Sequence, residues 1–221
     1  MREIFEAELQ QVGDDLQEMS ALVAEAIDRA GRALIDADHQ LAQEVIVDDL
    51  AIDTIERALD ERCLYILAQQ APVATDLRIV VTALRMSSTL ERMGDLARHI
   101  AQIARGRYPD RAVPVLEPTL REMHEAATRA ARRVQGLLEN RDLELAAQVK
   151  ADDAILDQLH RQTFTTMLDE GWTEDAQQTI DATLLSRFYE RFGDHAVSIA
   201  RRIEFLVTGE LESAAHSHHD N

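Results

Sequence analysis

A six-residue pattern occurs twice in this chain, as LERMGD ending at Asp95 and as YERFGD ending at Asp194, 99 positions apart. The agreement extends beyond it. VIVDDLAIDTIE (Val45–Glu56) lines up with VKADDAILDQLH (Val149–His160) at an offset of 104, and Leu16-x-Glu18-Met19 lines up with Leu120-x-Glu122-Met123 at the same offset. The offset falls from 104 to 99 after Leu67, so the connection before the third element is five residues shorter in the second copy. Repeated units tolerate such a change in a loop. The chain is therefore expected to build one structural unit twice.

That unit reads as helical. Phe5, Leu9, Val12, Leu16, Met19 and Val23 step by four and three, which buries one seam of a long helix. Aromatic residues make up only 4% of the chain and Gly and Pro are few, which favours helix over strand. Helices are expected from Glu3 to about Ala37, Asp38 to Gln70 and Thr75 to Arg105, the second ended by the Ala71-Pro72 step. GRYPDRAVPVLEP, with three of the four prolines, is the natural linker. The plan then repeats over Thr119 to Glu139, Asp142 to Glu170 and Glu174 to Val207. The expected fold class is all-α, two tandem three-helix bundles: residues 1–105, a linker at 106–118, residues 119–208, and a mobile tail at 209–221.

Charge narrows the function. With 41 acids against 23 bases the net charge is −18, which repels nucleic acid and anionic lipid, so neither is an expected partner. MREIFEAELQQ lacks the apolar run of a signal peptide and no stretch approaches a membrane span, so a soluble, cytoplasmic protein is expected. The single Cys63 has no cysteine partner and reads as a buried helix residue. His216, His218 and His219 read as solvated tail residues.

The acids pair in an informative way. Eight pairs stand at i,i+4, close to the roughly seven that chance supplies, so the spacing alone says nothing. Four of them, however, sit at repeat-matched positions: Asp49/Asp53 with Asp153/Asp157, and Glu91/Asp95 with Glu190/Asp194. Each pair aims two carboxylates from one helix face, where they repel unless something neutralises them. A hard cation such as iron, manganese, magnesium or calcium suits four converging carboxylates. The plainer alternative is a solvated face balanced by Arg57, Arg92, Arg98 or Arg191. His99 and His195 have no counterpart in the other copy and read as helix-surface or interhelix residues.

Further strings carry a family resemblance. APVATDLR (Ala71–Arg78), the following ALRMSSTLERMGDLARHIA, the second-copy YERFGDHAVSIARRI and the paired-aspartate VDDLAID resemble the motifs of the PhoU family of phosphate-signalling regulators over Arg2 to Thr208. The resemblance weakens where GWTEDAQQTID replaces PVATDLRIVVTA, so Arg78 and Arg85 have no second-copy equivalents.

The resemblance implies two similar three-helix bundles, a homodimer, and clusters of iron or another divalent metal (Mg, Mn, Zn, Ca) on Asp49, Asp53, Glu91, Asp95, Asp153, Asp157, Glu190 and Asp194. No organic cofactor is implied. It further implies negative control of phosphate uptake and of the phosphate-starvation response. The chain would link the ATPase subunit of a phosphate ABC transporter to a phosphate-sensing histidine kinase, meeting the membrane only through those partners, with no catalytic step. A helical adaptor unrelated to phosphate, with or without metal, is the alternative. A di-iron redox enzyme is disfavoured because no Glu-x-x-His occurs.

Overall fold

The computed structural model describes residues 2–209. It contains six long helices: α1 (Arg2–Asp36), α2 (His39–Gln70), α3 (Ala74–Arg107), α4 (Glu117–Asn140), α5 (Leu143–Met167) and α6 (Ala176–Thr208). Among the described residues there is no strand. The tail, with its three histidines, lies outside the described residues from 210 onward.

Local chemistry sets the helix ends. Asp38 caps α2 by accepting from the Leu41 N–H at 2.9 Å, and Asp142 caps α5 through the Glu144 N–H at 3.0 Å. α6 opens with a reciprocal capping box between Asp175 and Gln178 (2.7 and 3.3 Å), so it begins at Ala176 rather than Glu174. α2 stops where Ala71 enters the left-handed region (φ 43°) ahead of Pro72. α5 ends at Met167, three residues before the expected Glu170.

The α1 seam is the spine of the first bundle. Val12, Leu16, Met19 and Val23 are buried, while Phe5 and Leu9 pack partly buried beside them. α1, α2 and α3 pack on one another, as do α4, α5 and α6. The two bundles also meet broadly, α1 against α4 and α3 against α6, and one continuous apolar cluster runs through both. The proline-rich 106–118 segment joins that cluster: Ala112, Val113 and Leu116 are buried, and Pro114–Leu116 forms a 3-10 turn leading into α4. Among the described residues no helix is long and apolar enough to cross a membrane.

Candidate functional site

The repeated glycine of the ERxGD pattern explains how the carboxylates come together. A Cβ at Gly193 would stand 2.5 Å from Asp153 Oδ1 and 2.9 Å from Leu156 Cδ1. A Cβ at Gly94 would stand 2.8 Å from Ile52 Cδ1 and 3.3 Å from Asp49 Oδ1. In each copy the missing side chain lets the aspartate of the neighbouring helix approach the backbone of α3 or α6. Asp49 and Asp53 of α2 thereby face Glu91 and Asp95 of α3, and Asp153 and Asp157 of α5 face Glu190 and Asp194 of α6.

The two copies differ in how that charge is balanced. In the first, Arg98 lies between the helices, its Nε 2.6 Å from Asp49 Oδ2 and its Nη2 on Asp95. Arg92 adds contacts to Asp95 (3.3 Å) and Glu91 (3.4 Å). Burial raises the Asp49 carboxyl above its ordinary range, Arg98 opposes that rise, and Asp53 and Asp95 add to it. Burial likewise raises Glu91, followed by repulsion from Asp95, with Arg92 opposing. Arg57 turns to the Asp53 carbonyl instead, at 3.1 Å.

In the second copy the position matching Arg98 is the buried Val197. Asp153 is pushed up to about 6, first by burial and then by Asp157, Asp194 and Glu190, with Arg201 opposing. Its Oδ1 is buried without a hydrogen-bond partner. Glu190 is raised by burial and then by Asp194, although Arg187 on the same helix grips it.

This donor set fits a hard divalent cation in the second copy: the oxygens are all carboxylate and one is buried and unsatisfied. In the first copy Arg98 already occupies the balancing role. Among the described residues no three acidic, histidine or cysteine side chains converge on one ion as they stand, in keeping with Arg98 and Arg187 each drawing a carboxylate toward itself. His195 and His160 lie near enough to the second cluster to feel the charge of Asp194 and Asp157 respectively. His99 stacks on Phe188 across α3 and α6 at 5.2 Å, and burial lowers the pKa of His195.

Other charged contacts divide the doubled aspartates by role. Arg29 of α1 binds Asp48 (2.7 Å) and Glu44 (2.9 Å), while Arg133 of α4 binds Asp152 and the Gln148 carbonyl (3.0 Å). Arg29 and Arg133 are related by the same offset of 104, as are Asp48 and Asp152. The first aspartate of each DD pair therefore ties its helix to the bundle, and the second faces the neighbouring helix. That offset was a signal available in the sequence. A further ion pair, Arg107 to the 2% exposed Asp181, joins α3 to α6 across the bundles.

Tandem three-helix bundles with matched carboxylates on the facing second and third helices of each unit define a class of duplicated all-α proteins. The PhoU domain model matches residues 16–104 and again 120–203, and the chain belongs to the PhoU family. It is 42% identical over 210 residues to the phosphate-specific transport system accessory protein PhoU homolog 2 of Mycobacterium tuberculosis, covering 95% of this chain and 99% of that one. To PhoU homolog 1 of Mycobacterium leprae it is 40% identical over 212 residues, covering 96% of each. The crystal structure of PhoU from Pseudomonas aeruginosa is similar at a TM-score of 0.85 and 31% identity, covering 93% of this chain and 100% of that one.

Proposed function

We propose that the protein is a cytoplasmic negative regulator of phosphate uptake and of the phosphate-starvation response. It links the ATPase subunit of a phosphate ABC transporter to a sensor histidine kinase, acts as a homodimer, and catalyses no reaction. The observation that carries this reading is family membership over both bundles, with relatives named as accessory proteins of phosphate-specific transport. Long rigid helices offer extended protein-binding surfaces, and the net charge of −18 favours basic patches on the partners.

We further infer that a divalent cation (iron, or Mg, Mn, Zn or Ca) binds Asp153, Asp157, Glu190 and Asp194 in preference to Asp49, Asp53, Glu91 and Asp95. The bound ion would neutralise the second cluster and tie α5 to α6. Arg98 does the corresponding work between α2 and α3.

The regulatory reading is tested by secreted phosphatase activity in phosphate-rich medium, comparing the parent strain with one lacking this gene and its close relatives. High activity in the deletion, returned to low by this protein, is expected; activity that stays low sinks the reading. For the metal, protein prepared without tag or chelator should lose most of its bound ion with Glu190→Ala and Asp194→Ala together. Glu91→Ala with Asp95→Ala should leave most of it, and the reverse pattern rejects the assignment.

A further inference from the structure

The opening turns of α3 and the closing turns of α6 enclose a cleft of about 570 Å³. Four arginines line it, Arg78 and Arg85 from α3 and Arg201 and Arg202 from α6, in a chain whose net charge is −18. Elsewhere most arginines are matched: Arg29, Arg62, Arg98, Arg107, Arg129 and Arg133 each contact a carboxylate. Among the described residues no carboxylate lies within ion-pair distance of Arg78, Arg85 or Arg202.

Arg201 acts on the neighbouring Asp153, whereas three observations show that the charge of Arg78, Arg85 and Arg202 is left unbalanced by the protein. The Nε atoms of Arg78 and Arg202 are buried with no hydrogen-bond partner. Arg202 is held in place by donating to Ser198 Oγ at 2.8 Å, not by an acid. Burial lowers the pKa of Arg202, and the like charge of the nearby, exposed Arg85 lowers it further. Of the two acids at the cleft, Glu204 is engaged by Lys150 at 3.1 Å, and Asp194 belongs to the carboxylate cluster.

Guanidinium groups gathered without counter-charge are suited to an oxyanion, and their planar forks match phosphoryl oxygens in particular. The other wall is apolar. Phe205 lies beneath Arg78, 5.4 Å from ring centroid to guanidinium carbon, with Leu77 and Val81 beside it. The volume falls in the range of small-molecule pockets, roughly 300–1,000 Å³, and exceeds what a bare phosphate fills.

We propose that this cleft binds the phosphoryl group of a small organic phosphate, such as a nucleotide, on Arg78, Arg85 and Arg202, with the organic part against Phe205 and Leu77. The site adjoins the second carboxylate cluster through Asp194 and needs no cation to form.

Titration calorimetry on the full chain in EDTA tests this, with ATP and inorganic phosphate as the probes and the chelator preventing anions from being counted through a bound metal. Saturable ATP binding is expected. Arg85 is exposed, so Arg85→Ala should fold normally and weaken binding by about 10- to 100-fold. Phe205→Ala should weaken ATP while sparing inorganic phosphate. Inorganic phosphate binding as tightly as ATP would keep the phosphoryl site and identify the free anion as its source. The proposal is overturned if neither probe saturates below about 10 mM, or if Arg85→Ala binds as the parent does.

Discussion

Removing Arg98 asks whether the first carboxylate cluster is held by the protein's own cation. The Arg98 side chain is 27% exposed and joins Asp49, 10% exposed, to Asp95, 19% exposed. A charge-assisted contact of this kind contributes about 1.5–3 kcal/mol, and the two share one guanidinium, so Arg98→Ala should cost about 2–4 kcal/mol in EDTA. For a chain of this size that corresponds to a fall in Tm of roughly 5–15 °C. Arg98→Met keeps the aliphatic stem and separates lost charge from lost packing. The freed carboxylates should then accept a metal: at a hundredfold excess over its Kd an ion returns about 2.7 kcal/mol. Thermal melts with EDTA and with excess Mn²⁺ should therefore show a larger metal-induced rise in the variants than in the parent. A loss in EDTA below about 0.5 kcal/mol, or equal metal-induced rises, would refute the reasoning.

Three further outcomes follow from the same geometry. Asp153 keeps its proton up to about pH 6 in the fold against an ordinary value of 3.8. Its stabilising contribution is thus full below the lower value and lost as pH rises through the upper one. Metal-free Asp153→Asn should exceed the parent in stability by about 1–2 kcal/mol at neutral pH, after discounting for partial exposure, and match it near pH 4; identical pH slopes in urea unfolding would count against this. Arg107→Ala leaves Asp181 buried without its ion-pair partner, keeping only the Gln177 amide at 3.1 Å, at a cost of about 3 kcal/mol, whereas Asp181→Ala leaves a partly exposed arginine at about 1 kcal/mol; equal shifts in the urea midpoint would contradict that asymmetry. Burial, reinforced by Asp60, pushes the Cys63 thiol up to about 12, so a thiol reagent should label it only as the protein unfolds. Rapid stoichiometric labelling of native protein would show the site to be open.

The duplication was legible in the sequence because the same residue types recur at one spacing, and most helix ends because Asp38, Pro72 and Asp142 act locally. The balance of charge was less legible. Arg98 stands three residues after Asp95, yet only the packing of α2 on α3 turns it toward Asp49 rather than water. Its replacement by Val197 in the second copy was visible by alignment, but its meaning depends on that packing. The arginine cleft was half legible: Arg78 and Arg85 stood out as unmatched by the second copy, while Arg201 and Arg202 lie more than 110 residues away and meet them only because α3 packs on α6.

The contacts of α1 with α4 and of α3 with α6 pair each helix with its own counterpart. That is the pattern of an isologous, two-fold interface, here contained within one polypeptide. In a true dimer of identical subunits a change on one side would appear on both. Fusion lifts that constraint. At the offset of 99, the counterparts of Arg78, Arg85, Arg201 and Arg202 are Gln177, Leu184, Gln102 and Ile103, none of them charged. The pseudo-symmetry axis thus carries four cleft arginines onto four uncharged positions and sets Arg105 opposite Glu204, and joining two copies in one chain is what allowed a single end of the molecule to specialise.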